Sequence, residues 1–427
     1  KDMLTWPKTV GVNEPHPPTL LSHHPILIEL IESTLDMRKV FVGHAAETLG
    51  KELNAYVSMG GYSDHESLTG EEALEKARLG VRIIAREDSA SPDLANVIRA
   101  VTEYGADTRY FSFATDDMGP LDLYESGHMD FKVKKAIAQG IDPITAIQMA
   151  TINTAEAYRV DQELGSIIPG KIADMVLVDK LVDFKASTVI ANGKIMARNG
   201  KPVDCKFHKK VKRQPYPSFM QKGFRLAKNI LNPNDFQLTA NVEKDDVTVR
   251  VIGAMDGTIV KNDEEAKLKV ENHIVLPDIE NDILKICVIE RYKGTGRIGK
   301  AFISGFGLKA GAIASTFNTI YFNIAVLSTN DQDAAVAANT LSKIGGGSVA
   351  VKDGKVLGLL ELKVGGIISD DPLEIIASKL KKVHGAAWDL GCKMGSPMMA
   401  LAYMTLPTIP AYGITDMGLV DALKQKI

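Results

Sequence analysis

Five strand–helix units follow one another over the first 160 residues, and this alternation constrains the fold more than any other feature of the chain. Short β-rich runs precede stretches with the apolar spacing of helices; among these runs are "KTVGVNE", "KVFVGH", "VRIIARE" and "RYFSFATDD". Consecutive parallel strands need helical crossovers, so the alternation predicts a parallel sheet. Five units are too few to close an eight-stranded barrel. The pattern is typical either of an open doubly wound sheet or of part of a (β/α)8 barrel.

The first residues favour the second of these two hypotheses. The chain starts at Lys1, and "KDMLTWPKTVGVNEP" is not a signal peptide. We interpret this start as the middle of a fold from which three N-terminal units are absent. We therefore expect a partial barrel that forms an open arc, with an apolar wall exposed along the "KTVGVNE" edge.

Polar residues stand at the carboxyl ends of four of these units: Glu14, His44, His65 and Asp116. In a (β/α)8 barrel this rim is where the chemistry takes place. Imidazole and carboxylate groups are the usual ligands of a hydrolytic divalent metal, which lowers the pKa of water. Their separations of 30, 21 and 51 residues suit successive strands better than a zinc-finger clip. A single strand-end histidine is more often a packing or capping residue, but four such ends predict a metal site around one point.

The composition argues against several classes of partner. A formal charge of −3 over 427 residues gives no electrostatic reason to expect nucleic acid or a membrane surface. No apolar run approaches the roughly 18 residues of a membrane span. The cysteines, Cys205, Cys287 and Cys392, are far apart and form no CxxC pair. We therefore expect no disulfide framework, and the reducing cytoplasm is the predicted location.

The remaining chain divides into two parts after a barrel segment over residues 1–164. Residues 165–235 contain short strands, a hairpin turn at Asn192-Gly193 and a basic run, "KFHKKVKRQPYP", which predicts a small β-sandwich segment and a linker. Residues 236–427 mix strands and helices as in a C-terminal α/β (α+β) domain. Its "GTGRIGKAF" imitates a nucleotide-binding loop but lacks the Ser or Thr of a P-loop, so we predict a tight turn there.

Three long blocks resemble the adenine deaminase family of the amidohydrolase superfamily: "GHAAETLGKELNAYVSMGGYSDHES", "TDDMGPLDLYESGHMDFKVKKAIAQGIDPITAIQMATINTAEAY" and "GSIIPGKIADMVLVD". The last of these is similar to the usual exit from such barrels into a small β-sandwich. The resemblance implies that Glu14 bridges two metals, that His44 and His65 are ligands, and that Asp116 is both a ligand and the proton shuttle. It also implies a binuclear divalent site, with manganese or iron favoured and zinc compatible.

The resemblance further implies a metal-dependent aminohydrolase that converts adenine to hypoxanthine and ammonia by attack of metal-activated water at C6. Glu66 either protonates a ring nitrogen or holds the amino group; a solvated loop carboxylate is the alternative. Arg86 and Glu87 end a strand and either line the pocket or form an ion pair at the rim. The expected partner is a small purine, with no nucleic acid and no membrane, in a homo-oligomer.

Two departures from the family pattern leave alternatives open. The His-x-His pair of strand one would lie before Lys1, so this polypeptide by itself is expected to be incomplete. In addition, "TIYF" at Thr319–Phe322 replaces a His-Asp-Ser-His run, and we expect this stretch near the mouth defined by His65 and Asp116. The alternatives are hydrolysis of a cyclic amide or of another aminopurine by the same groups, or a degenerate homologue without catalytic activity.

Overall fold

The structure is a computed structural model that describes residues 2–15, 17–203, 224–240, 245–424 and 426–427. It divides into two compact units. The first comprises Lys1–Asp88, Pro92–Met118 and Ser126–Arg213, and the second comprises Ser89–Ser91, Gly119–Glu125 and Gln214–Ile427. The basic run predicted as a linker lies outside the described residues, and the predicted three-part division of the chain stays a prediction.

The first unit contains a sheet of five parallel strands in sequence order: β1 (Gly11–Asn13), β2 (Val40–Gly43), β3 (Ser63–Asp64), β4 (Arg82–Arg86) and β5 (Phe111–Ala114). This order confirms the partial barrel. Among the described residues, β1 pairs only with β2 and β5 only with β4, so the arc is open as expected. Val10, next to β1, is 41% exposed, which agrees with an apolar side chain at that edge.

Helices connect and cover these strands; they are α1 (Pro17–Leu21), α2 (Pro25–Asp36), α3 (Gly50–Ser58), α4 (Gly70–Arg78), α5 (Leu94–Val97), α6 (Arg99–Thr102), α8 (Met129–Ala138), α9 (Pro143–Ala150) and α10 (Ile152–Ala157). Short 3₁₀ turns occur at Asp2–Thr5 and Thr108–Tyr110. The central residues of β2, β4 and β5 are mostly apolar and buried, since parallel sheets are covered on both faces. Ile83, Ala85, Phe111 and Phe113 form the centre of the main core.

Helix α4 begins with a cap that differs in one respect from the capping box suggested by Thr69 and Glu72. The Thr69 hydroxyl accepts a hydrogen bond from the Glu72 N–H, as expected. The Glu72 carboxylate accepts from the N–H groups of Glu47 and Leu68 instead of returning to Thr69. Only the first half of the capping-box pattern is therefore formed among the described residues, because other segments bind the carboxylate of Glu72.

A separate four-stranded antiparallel sheet completes the first unit; its strands are β6 (Met175–Val178), β7 (Ala186–Ala191), β8 (Lys194–Arg198) and β9 (Lys201–Pro202). Asn192 and Gly193 connect β7 and β8 with φ of 47° and 73°. Two successive positive φ angles are typical of a type I′ turn, so the predicted hairpin is confirmed.

The second unit is built on a nine-stranded mixed sheet in the order β12-β11-β10-β14-β13-β16-β15-β17-β18. Its strands are β10 (Asp246–Gly253), β11 (Asn262–Glu271), β12 (Ile274–Val275), β13 (Leu284–Ile289), β14 (Ile298–Ser304), β15 (Ala312–Ser315), β16 (Ile324–Ser328), β17 (Gly347–Lys352) and β18 (Lys355–Glu361). The pair β10 and β14 is parallel, and the other pairs are antiparallel.

The other elements of the second unit are α7 (Pro120–Glu125), a 3₁₀ turn (Pro233–Phe236), α11 (Asp331–Ile344), α12 (Leu373–Asp389), α13 (Pro397–Tyr403), β19 (Tyr412–Thr415) and β20 (Gly418–Asp421). Helices α11 and α12, together with the nine-stranded sheet, agree with the mixture of strands and helices expected in this part of the chain. Helix α7 packs against α12 within this unit, and the Lys381 ammonium group lies 2.7 Å from Glu125 Oε1. In the part of the chain that the structure describes, no helix has the length and apolar character needed to span a membrane.

The glycine-rich loop before β14 connects the antiparallel strands β13 and β14, and the predicted tight turn stays a prediction. The Glu290 carboxylate accepts hydrogen bonds from the N–H groups of Tyr292, Lys293 and Thr295. A phosphate-binding loop would need such N–H groups for its ligand. The loop therefore already holds an internal anion and does not have the arrangement of a nucleotide-binding loop.

We expect Gly299→Ala to destabilise the second unit, because a Cβ on Gly299 would lie 1.8 Å from the Thr415 carbonyl oxygen. A clash with backbone in a packed core costs about 1–3 kcal/mol or more. Gly385→Ala is the matched control: it lies inside α12 with open space around its Cβ, so alanine should stabilise that helix by up to about 1 kcal/mol. Thermal unfolding midpoints of both variants test this, and equal shifts in the same direction would contradict it.

Candidate metal and catalytic site

The structure brings together all five residues that the sequence singled out for metal binding or catalysis. Suitable ligand atoms of Glu14, His44 and His65 all lie within 4.8 Å of one another, and the same holds for His65, Glu66 and Asp116. The two groups share His65. Each residue follows or ends a strand of the parallel sheet, so the strand ends meet at one rim.

His65 is at the centre of the cluster. Its Nε2 lies 3.5 Å from His44 Nδ1, 3.6 Å from Glu14 Oε1 and 3.9 Å from Asp116 Oδ2. The Glu66 Oε1 atom is 3.2 Å from His65 Nε2 and 3.3 Å from His44 Nδ1. The side chains of His65 and Asp116 are 12% and 20% exposed, so solvent reaches only a small part of these two residues.

The backbone conformation at two of these residues is unusual. Glu14 and Asp116 have φ of 54° and 52°, in the left-handed region that L side chains rarely adopt. The Glu14 N–H donates to the Val42 carbonyl at 2.9 Å, which continues the β1–β2 ladder up to the residue itself. Such conformations persist where the surrounding structure enforces them and are common at functional sites. Here they occur at the ends of the first and last strands of the arc.

Arg86, the last residue of β4, binds the carboxylate beside the histidines. Its Nη1 lies 2.7 Å from Glu66 Oε1 and 3.8 Å from Asp116 Oδ2. Its Nε donates to Asp93 Oδ2 at 3.0 Å. The Arg86 side chain is 2% exposed and that of Glu66 is 3% exposed, so this is a buried ion pair. Of the two interpretations of Arg86, the structure thus supports an ion pair at the rim.

The charges of the cluster act on its titratable groups. Burial by itself would lower the pKa of His65, but the hydrogen bond and negative charge of Glu66, with Asp116 and Asp64 nearby, raise that pKa to about 9. Burial would raise the pKa of Glu66, but the Arg86 guanidinium and the two histidines hold it well below its usual range. The two shifts have different causes: carboxylates around His65 favour its protonated form, and Arg86 with the two imidazoles favours the ionised form of Glu66. The carboxylates around His65 also attract a cation.

The donor set fits a divalent metal ion. Two imidazoles and several carboxylate oxygens within a few ångströms are the ligands that hydrolytic divalent metals use. Among the described residues, the buried Glu66 Oε2 atom has no hydrogen-bond partner, and such an atom in a native site needs an explanation. A metal or a substrate group at this position would supply one. The role of the four residues as metal ligands stays a prediction.

Sequence reasoning missed the contribution of Asp93, which lies in the connection from β4 to α5. Its carboxylate is 4% exposed and binds Arg86 rather than capping the helix that follows it. The sequence signal was weak, because an aspartate before a helix is the usual N-cap residue. His23 and His24 are exposed and lie outside the cluster. The prediction that Thr319–Phe322 lies near the mouth of the site remains a prediction.

Two family models match this chain. The amidohydrolase family matches residues 20–196, and the adenine deaminase C-terminal domain matches residues 258–426. An adenine deaminase of Clostridium botulinum (strain Langeland) is 38% identical over 426 residues, which cover 99% of this chain and 70% of that protein. Adenine deaminase 1 of Desulfotalea psychrophila is 39% identical over 424 residues, with the same two shares. The chain belongs to the adenine deaminase family.

A third relative in the adenine deaminase family, from Desulforamulus reducens, is 37% identical over 419 residues, covering 98% of this chain and 70% of that protein. Membership confirms the resemblance that the long sequence blocks indicated. The C-terminal family match includes Thr319–Phe322, so the altered stretch lies inside a domain characteristic of adenine deaminases. The amidohydrolase match includes four of the five clustered residues, and Glu14 lies before its first residue.

We expect Arg86→Met to destabilise the first unit by about 3–5 kcal/mol, because Glu66 and Asp93 would lose the buried cation that balances them. Arg99→Met is the control, since Arg99 forms an exposed pair with Glu103 one helical turn away. That variant should unfold at the same temperature as the native protein. Thermal unfolding followed by circular dichroism measures both, and an unchanged midpoint for Arg86→Met would refute the buried ion pair.

Proposed function

We propose that this chain carries the metal-binding and catalytic groups of a metal-dependent aminohydrolase that converts adenine to hypoxanthine and ammonia. The observation that carries the proposal is the convergence of Glu14, His44, His65 and Asp116 at one rim of a parallel sheet. Membership in the adenine deaminase family supports the choice of adenine. The cytoplasmic location and the homo-oligomer stay predictions.

Glu14, His44, His65 and Asp116 would hold the metal, and the family resemblance implies that Glu14 would be shared by the two ions of a binuclear centre. We propose manganese or iron, and zinc is compatible with the same ligands. When bound, the divalent metal lowers the pKa of water towards 7 and so supplies a nucleophile at neutral pH. Because both imidazoles must be neutral to act as ligands, metal binding would displace the proton that the carboxylates keep on His65.

Asp116 is the residue we propose to move the proton. Its side chain is 20% exposed, and its Oδ2 atom lies 3.9 Å from His65 Nε2. In the hydrolysis, the carboxylate accepts a proton as water adds to C6 of adenine. It then gives the proton to the departing amino group, which leaves as ammonia. The carboxylate is regenerated, and the C6–N bond has been replaced by a C6–O bond.

Glu66 has two proposed roles, and the contacts of its two oxygens favour one of them. Arg86 donates to Oε1 at 2.7 Å, so this oxygen is occupied. Oε2 is buried and, within the described part of the chain, accepts no hydrogen bond. A carboxylate held in this way presents a free acceptor. We therefore propose that Glu66 holds an N–H group of the substrate, most simply of its amino group, rather than donating a proton to the ring.

We expect Asp116→Asn, made in the complete protein, to lower kcat for adenine by about 10²–10⁴-fold, because the amide cannot accept the proton of water. Asp130→Asn is the control, since Asp130 is an exposed residue of α8 that caps the His128 N–H. Steady-state kinetics with metal-loaded enzyme measures both variants. A kcat of Asp116→Asn within threefold of the native value would exclude Asp116 as the proton shuttle.

Substrate class is tested with a panel of adenine, other aminopurines and cyclic amides, assayed on the complete protein before and after metal removal. We expect adenine turnover far above all others, its loss on chelation and its return with Mn²⁺ or Fe²⁺. Turnover of cyclic amides alone would establish amide hydrolysis by the same groups. Metal binding without any turnover would favour the degenerate homologue.

A further inference from the structure

Lys76 is a fully buried lysine that contacts residues adjacent in sequence to those of the candidate site. It lies in α4, and its side chain is 0% exposed. Its ammonium group donates hydrogen bonds to Asp64 Oδ2 at 2.8 Å, to Glu72 Oε1 at 2.7 Å and to the Ala45 carbonyl oxygen at 2.7 Å. The three N–H donors of an ammonium group thus have three short acceptors, and Ser67 Oγ lies 3.2 Å away as a fourth.

Each acceptor of Lys76 outside its own helix is next to a residue of the site. Ala45 follows His44, and Asp64 precedes His65. Ser67 follows Glu66. One ammonium group therefore ties the end of β2 to the end of β3 and to the loop after it. The Lys76 side chain itself is not among the cluster residues, so any effect on them passes through the residues it binds.

The network around Lys76 is closed by further hydrogen bonds. Asp64 Oδ1 accepts from the Ala45 N–H at 2.8 Å, so Asp64 binds both the ammonium group and the segment beside His44. The Ser67 hydroxyl donates to Asp64 Oδ2 at 2.7 Å. Glu72 accepts from the N–H groups of Glu47 and Leu68, which lie in the two loops that follow β2 and β3. A fully satisfied buried network of this kind holds its members in one geometry.

We infer that Lys76 is a positioning residue that fixes the separation of His44 and His65, so that both imidazoles can bind the same metal centre. Compared with apolar packing, a buried ion pair adds little stability because of the cost of desolvating its charges. The distinctive effect of this network is geometric: Lys76 binds both Ala45, after β2, and Asp64, at the end of β3, which are 19 residues apart in the chain. The identity of the bound group as a metal rests on the proposed function, whereas the positioning of the two imidazoles by Lys76 does not.

The test is Lys76→Met in the complete protein, with two readouts that do not depend on activity. Mn²⁺ affinity is measured by the electron paramagnetic resonance signal of free Mn²⁺, and the His44 Nδ1–His65 Nε2 distance is measured in metal-free crystal structures. We expect affinity to fall about 10–100-fold, as for the loss of groups that orient metal ligands. We also expect the 3.5 Å separation of the two nitrogens to be lost.

Lys285→Met is the matched control, because Lys285 is 3% exposed and pairs with Asp331 in the second unit. It should lose stability and keep native Mn²⁺ affinity. A folded Lys76→Met protein with native affinity and an unchanged nitrogen separation would overturn the inference. If the native protein binds no Mn²⁺, the proposed metal site fails, and the nitrogen separation alone still tests the role of Lys76.

Ser67→Ala keeps the inference testable if Lys76→Met does not fold. This change removes one acceptor of Lys76 and one hydrogen bond to Asp64 while leaving both charges in place. We expect Mn²⁺ affinity to fall by about fivefold, which corresponds to one lost hydrogen bond in the supporting network. Native affinity in Ser67→Ala, together with failure of Lys76→Met to fold, would show that the network stabilises the fold without positioning the histidines.

Discussion

The parallel pairing of five consecutive strands is the constraint on which the rest of the first unit depends. Parallel strands in sequence order place every carboxyl end at the same edge, so residues far apart in sequence meet there. Glu14 and Asp116 are separated by 102 residues, and both have atoms within reach of His65. Their positive φ angles turn the chain sharply where each strand ends. The site is thus a consequence of strand direction, and the helices supply its support.

Two buried cations balance the negative charge at this rim. Arg86 binds Glu66 and Asp93, and Lys76 binds Asp64 and Glu72. Each cation binds carboxylates from different segments. The loops after β2, β3 and β4 therefore belong to two networks, one around Arg86 and one around Lys76. Leaving any of these charges buried without its partner would be costly. The carboxylates of Glu14 and Asp116 have no buried lysine or arginine at hydrogen-bond distance among the described residues, which suits them to a metal.

The second unit shows how similar sequence signals acquire a different meaning from their surroundings. The "GTGRIGKAF" loop has the glycines of a phosphate-binding motif, but Glu290 occupies its N–H groups. Gly299 is required because β14 passes against the backbone of Thr415 and not because a ligand approaches. Within the same unit, Met394, Met398, Met399 and Met404 are buried, so this methionine-rich stretch is part of the core.

The sequence by itself determined the alternation of strands and helices, the open parallel arc, the hairpin at Asn192-Gly193 and the five residues of the candidate site. These follow from local patterns: apolar periodicity, turn residues and polar groups at strand ends. Only the tertiary structure decided that the Glu72 carboxylate binds Lys76 and that Asp93 binds Arg86. It also decided that one oxygen of Glu66 has no hydrogen-bond partner among the described residues. The physical reason is that a buried charge takes its partner from whichever segment packing brings near, and local sequence does not encode that choice.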